Sequence, residues 1–153
     1  MKNILTKRAM TLFELLAVIV ILGIILAIGF PTVTRLINNS RKDSFVANVN
    51  SYVAAAKADA LSEWAAKGES VIVIYTVDKD KQNDPDYETF GIDVFDKGKI
   101  TIEVNEEGKI TKITLNEPFV GKGFKTRKNL DLNKGPITRD NIISADSEEE
   151  EED

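Results

Sequence analysis

"RAMTLFELLAVIVILG", residues 8–23, decides the fold, because a glutamate, Glu14, stands near the start of an otherwise apolar stretch. A carboxylate inserted at mid-helix in lipid costs roughly 2.5–3.5 kcal/mol, and somewhat less near a helix end. Something must offset that cost. Beyond Glu14 no residue from Leu15 to Thr34 is charged, and the 17 residues from Leu15 to Pro31 are all apolar, glycine or proline. As a helix rising 1.5 Å per residue they span roughly 26 Å, close to the ~30 Å of a hydrocarbon core. Lys2, Lys7 and Arg8 precede the run with no acid among them. The positive-inside bias therefore places the N-terminus in the cytoplasm and everything after Pro31 outside.

Two plainer readings compete. A secretory signal peptide also has a basic start and an apolar core, and Ala27-Ile28-Gly29 would serve as its small-residue cleavage site. Against it, the run is long for such a core and Glu14 falls where the core should be purely apolar. A simple single-pass anchor explains the length and the basic flank but leaves Glu14 unpaired, unless its side chain reaches up to the interface.

Past Pro31, which removes one helical hydrogen bond, the apolar residues return at helical spacing. Phe45, Val49, Tyr52, Val53, Ala56, Leu61 and Trp64 step by three or four with one slip, while Arg41, Lys42, Asp43, Asn48, Lys57, Asp59 and Glu63 occupy the other face. The pattern predicts an amphipathic continuation ending near Lys67-Gly68, with the glycine as C-cap. A single helix from Met10 to Ala66 would be roughly 85 Å long, far more than a signal peptide or an anchor requires.

The rest of the chain reads as a small antiparallel sheet. Residues 71–77, "VIVIYTV", are rich in β-branched side chains, and "KITIEV" (99–104) and "KITKITL" (109–115) alternate around "NEEG", a four-residue hairpin loop. Ile110 and Ile113 differ in parity, so the second hairpin strand must bend or bulge after Ile110 for both to share the core face. Residues 90–95 are expected to form a further strand, and beyond Pro118 a loop with at most a short edge strand. The predicted fold class is thus α+β, a long N-terminal helix whose amphipathic half packs on the sheet.

Composition narrows the function. The 153 residues contain no cysteine and no histidine. That removes disulfides, thiolate nucleophiles, the commonest general base and the commonest metal ligand, so neither an enzyme nor a cofactor is expected. The net charge of −5 is uneven: residues 1–9 hold three basic groups, residues 146–153 hold seven acids, and between them 17 basic residues face 18 acidic ones. The terminal acidic run is expected to be solvated and disordered. Asp78, Asp80, Asp84, Asp86 and Glu88 are weak calcium candidates, since Asn83 takes the glycine slot of an EF-hand loop and Thr89 the slot of its last acid. Lys122, Phe124, Lys125, Arg127 and Lys128 form a short basic patch around one ring, a minor candidate for nucleic acid. No arrangement of acids or nucleophiles suggests catalysis.

"KRAMTLFELLAVIVILGIILAIGFP", residues 7–31, resembles the N-terminus of type IV prepilins and pseudopilins. Shared are the basic leader, the threonine, the glutamate inside an apolar run and the closing proline. The resemblance covers residues 1–31, and beyond them only the architecture. It implies cleavage by a prepilin peptidase between Ala9 and Met10, where the family usually has glycine before the cut, and N-methylation of Met10. Glu14 then becomes the fifth residue of the mature chain, and Gly23 and Pro31 fall on the family's helix glycine and proline. The implied partner of Glu14 is the Met10 amine of a neighbouring subunit. Implied regions are a leader (1–9), a transmembrane assembly helix (10–34), an amphipathic half (35–67), an extracellular sheet head (68–145) and the acidic tail (146–153). The implied function is a filament subunit, held in the cytoplasmic membrane and then assembled on the cell surface with copies of itself and minor pilins. Alternatives are a pseudopilin of a type II secretion or DNA-uptake system and, from another class, a monomeric membrane-anchored extracellular binding domain.

Overall fold

The computed structural model describes residues 11–128 and 130–147. The cleavage residues Ala9 and Met10 and the acidic residues 148–153 lie outside that range. The chain divides into two compact units, one reaching to Ser40 and one starting at Arg41. Helix α1, Leu12–Lys67, belongs to both.

In the first unit the helix is apolar on every side from Leu15 to Pro31. Every large apolar side chain from Leu12 to Ile37 is exposed, and this stretch is long and apolar enough to cross a membrane. Pro31 lies inside the helix without ending it, and the Thr34 hydroxyl donates to the carbonyls of Phe30 (3.1 Å) and Pro31 (3.0 Å).

In the second unit the same helix becomes amphipathic. Phe45, Val49, Tyr52, Val53, Ala56 and Ala60 are buried along one stripe, with Leu61 and Trp64 half-buried against the same core. Ala60 completes the stripe that the spacing of the larger residues predicted. The helix stops at Gly68, whose φ of 71° is open to glycine at little cost and whose N–H donates to the Trp64 carbonyl at 2.8 Å.

The stripe packs on a five-stranded antiparallel sheet: β1 Val71–Asp78, β2 Lys97–Val104, β3 Ile110–Gly121, β4 Phe124–Thr126 and β5 Ile142–Ser144. The strands lie side by side in chain order, so β1 and β5 are the two edges. In the β2–β3 hairpin Ile102 faces Ile113 and Val104 faces Ile110, leaving Thr111 as the extra residue of a bulge. This is the parity correction that the sequence demanded. The loop 105–108 closes with Gly108 N–H on the Asn105 carbonyl at 3.0 Å.

Two expectations fail. Residues 90–95 form turns instead of a strand. Phe90 and Gly91 both have positive φ (49° and 75°), and the Ile92 N–H donates to the Thr89 carbonyl at 2.8 Å. Apolar residues recur there because Phe95 is buried in the core and Phe90, Ile92 and Val94 pack against it from a loop. The chain also does not fade into loop at Pro118: β3 runs through it to Gly121. Pro118 and Phe119 stand together opposite Gly98 between the pairs Lys99↔Glu117 and Lys97↔Val120, an irregular place in the ladder where proline's missing donor is tolerated.

Candidate functional site

Glu14 lies in the first turn of α1, and the residue that positions it is Thr11. The Thr11 N–H donates to Glu14 Oε2 at 2.7 Å, the Thr11 hydroxyl donates to the same oxygen at 3.0 Å, and the Glu14 N–H donates to Thr11 Oγ1 at 3.2 Å. This is a capping box: two helix-end donors are satisfied reciprocally, and the negative charge sits at the positive end of the helix. The acid therefore has a structural partner within its own chain. The threonine-to-glutamate spacing, T-x-x-E, immediately before an apolar run was the signal for it, and the reading of Glu14 as an unpaired acid passed over it. Both side-chain contacts use Oε2, and among the described residues none uses Oε1.

Gly23 lies on the same helix, and a methyl group added there would meet nothing within 4 Å. Pro31 follows eight residues later in the uninterrupted helix. Ala9 and Met10, the cleavage and methylation residues, lie outside the described residues.

The acids of the loop after β1 turn inward on their own backbone. Asp78 Oδ1 accepts from the Asp80 N–H at 3.0 Å and Asp84 Oδ1 from the Asp86 N–H at 2.9 Å, while Asp78 Oδ2 faces Lys81 Nζ at 3.6 Å. Among the described residues no three acidic, histidine or cysteine side chains converge to hold a metal ion.

The basic patch is split by the fold. Lys122 and Gly123 form the two-residue turn between β3 and β4, both with positive φ (51° and 82°), which suits a tight hairpin. The Phe124 ring is buried, with its centroid 6.1 Å from that of Phe45. That corrects its expected part as a stacking platform for a base. Lys125 Nζ donates to the Ser147 carbonyl at 2.6 Å and Arg127 Nε to the Asp140 carbonyl at 3.3 Å; Lys128 follows in the turn after β4.

Compared with protein-family models, with curated proteins and with solved structures, the chain matches none.

Proposed function

We propose that the chain is a structural, non-enzymatic subunit of a type IV pilus-like filament. The observation that supports this best is the first unit: an apolar, unburied helix with a single carboxylate placed at its first turn. A prepilin peptidase cuts between Ala9 and Met10 and the new amine is methylated. The subunit waits in the cytoplasmic membrane with its sheet domain outside, then assembles by helix packing into a filament on the cell surface. In that packing Glu14 keeps its capping box through Oε2 and offers Oε1 to the Met10 amine of a neighbour. An apolar bundle leaves an unpaired charge costly. Only the axial stagger that brings an amine opposite the acid is then favoured, a choice that a surface of leucine and isoleucine cannot make.

Mass spectrometry of the mature chain tests the processing step: a methylated Met10 at the N-terminus is expected, whereas an intact leader or a cut after Gly29 overturns the proposal. Glu14→Gln separates the two roles of the acid, since glutamine still closes a capping box but carries no charge. Normal membrane insertion with filaments lost is expected; normal filaments would show that the ion pair does not set the register.

A further inference from the structure

The second unit carries two clefts of opposite charge. In the first, of about 490 Å³, Arg41 and Lys122 stand exposed beside Ser44 and Asn48 over the buried rings of Phe45 and Phe124. In the second, of about 350 Å³, Asp59 and Glu63 of α1 and Asp86 and Glu88 of the loop after β1 surround Ile72 and Ile74. Among the described residues no acid lines the first cleft and no base lines the second. Nor does either Arg41 or Lys122 have a carboxylate partner among them, although Lys79 and Arg139 each do; in the second cleft Glu63 already holds Lys67 at 2.8 Å, while Asp86 and Glu88 have no cationic partner among the described residues.

The acidic groove runs along an open sheet edge. The outward N–H and C=O of Thr76 are taken by the Asp86 carbonyl (2.7 Å) and the Glu88 N–H (3.1 Å). β1 pairs with β2 without a register shift, so Ile72 and Ile74 share the parity of Thr76 and turn their backbone groups outward too. Among the described residues nothing pairs with those groups, and the two side chains are 70% and 36% exposed. An unpaired apolar edge is a template for a further chain, and the surrounding carboxylates select a cationic one.

We propose that the occupant of the acidic groove is the basic cleft of a second copy of this chain, an inference that rests on the filament proposal and names the contact between its heads. Carboxylates and β1 carbonyls accept from the neighbour's Arg41 and Lys122, and Ile72 and Ile74 cover apolar surface between them. Contacts of groove on groove or cleft on cleft would bring equal charges together, which is strongly unfavourable, and a two-fold pair that sets each groove on the other's cleft would close at the dimer. In a filament that grows by repeated addition the contact is heterologous: it leaves a free groove at one end and a free cleft at the other, so that it propagates. The two clefts are separated by roughly 25 Å along α1, which fixes the axial offset of the two copies that meet.

The chain has no cysteine, so crosslinking tests this without background. In cells producing the full chain, Asn48→Cys together with Ile72→Cys should give a ladder of dimers, trimers and higher species on treatment with a bis-maleimide. Either cysteine alone should give monomer; double-cysteine crosslinking that stops at dimer would show a closed two-fold pair, and dimers from a single cysteine would show like-on-like contact, and either result overturns the proposal. Added to the double-cysteine chain, Arg41→Glu with Lys122→Glu should weaken the ladder at least about fivefold, as should Glu63→Lys with Asp86→Lys, and all four changes in one chain should restore it. Normal filaments without a ladder overturn this contact and leave the filament proposal standing. If the unsubstituted chain builds no filament, that proposal falls by itself, and the same crosslink in membranes carrying the full chain still decides the contact.

Discussion

Tyr52 joins the helix to the loop that the sheet leaves uncovered. Its ring is fully buried and meets Phe90, Phe95 and Phe119 edge-on at centroid distances of 5.2, 5.9 and 5.0 Å, and its hydroxyl donates to the Glu88 carbonyl at 2.6 Å. Tyr52→Phe keeps the ring contacts and orphans the carbonyl, so it should destabilise the fold by about 1–3 kcal/mol in denaturant titrations of the full chain in micelles. Burial, with Glu88 nearby, pushes the Tyr52 phenol above its ordinary range. Burial and the hydrogen bond to Asp59 at 3.0 Å do the same for Tyr75. A raised folded pKa favours the neutral phenol, so this stabilisation is complete below the ordinary tyrosine value of about 10 and declines above it. Alkaline unfolding coincident with the tyrosinate absorbance change is the expected result. The opposite sign applies at Asp43, where hydrogen bonding to the Arg139 guanidinium, Nε at 2.7 Å from Oδ1, holds the carboxyl below its usual value. Its contribution is present above the ordinary aspartate pKa and is lost as pH falls through the lowered one. Arg139→Ala should raise the Asp43 midpoint in a carboxylate NMR titration. Single residues were unevenly legible in the sequence: Glu14 announced itself as an acid among apolar residues, but the Thr11 partner that satisfies it became visible only with the helix start in place.

At the level of elements, the β2–β3 hairpin is held against α1 by a glycine. Gly108 has a φ of 76° and lies under the Trp64 ring, so a methyl group there would enter the indole as well as strain the backbone. Gly68, with a φ of 71°, faces open space. Gly68→Ala should therefore show only the backbone penalty, about 1–2 kcal/mol, and Gly108→Ala that penalty plus the cost of displacing the indole, about 1–3 kcal/mol more. Trp64 is the only tryptophan, so its emission reads the contact directly: it should shift for Gly108→Ala and stay unchanged for Gly68→Ala. The hairpin was legible because its restraints are local, namely a loop with glycine at the left-handed position and a parity conflict that one bulge at Thr111 resolves. The loop 90–95 was not, since burial of Phe95 beside Phe45 and Tyr52 depends on long-range contacts that mimic strand periodicity. β5 has only three residues, Ile142–Ser144, and exists because β4 offers it an edge; no local pattern marks a strand that short.

For the molecule as a whole, the division of labour between the two units has a measurable consequence. Every buried apolar side chain among the described residues lies at Phe45 or beyond, and none lies before Ser40. The second unit thus holds its own core of helix stripe, five strands and clustered aromatic rings. Each large side chain buried in that core contributes about 1.5–3 kcal/mol, while each one exposed before Ser40 is unfavourable in water and suited to lipid or to other helices. A chain beginning at Arg41 should accordingly stay in the supernatant, melt cooperatively and keep the Trp64 emission of the full chain. The full chain should instead sediment with membranes and resist alkaline carbonate extraction. A truncated chain that aggregates, or that melts without a transition, would mean that the apolar helix is required for folding as well as for anchoring. The assignment of residues before Ser40 to the membrane and to assembly alone would then be wrong.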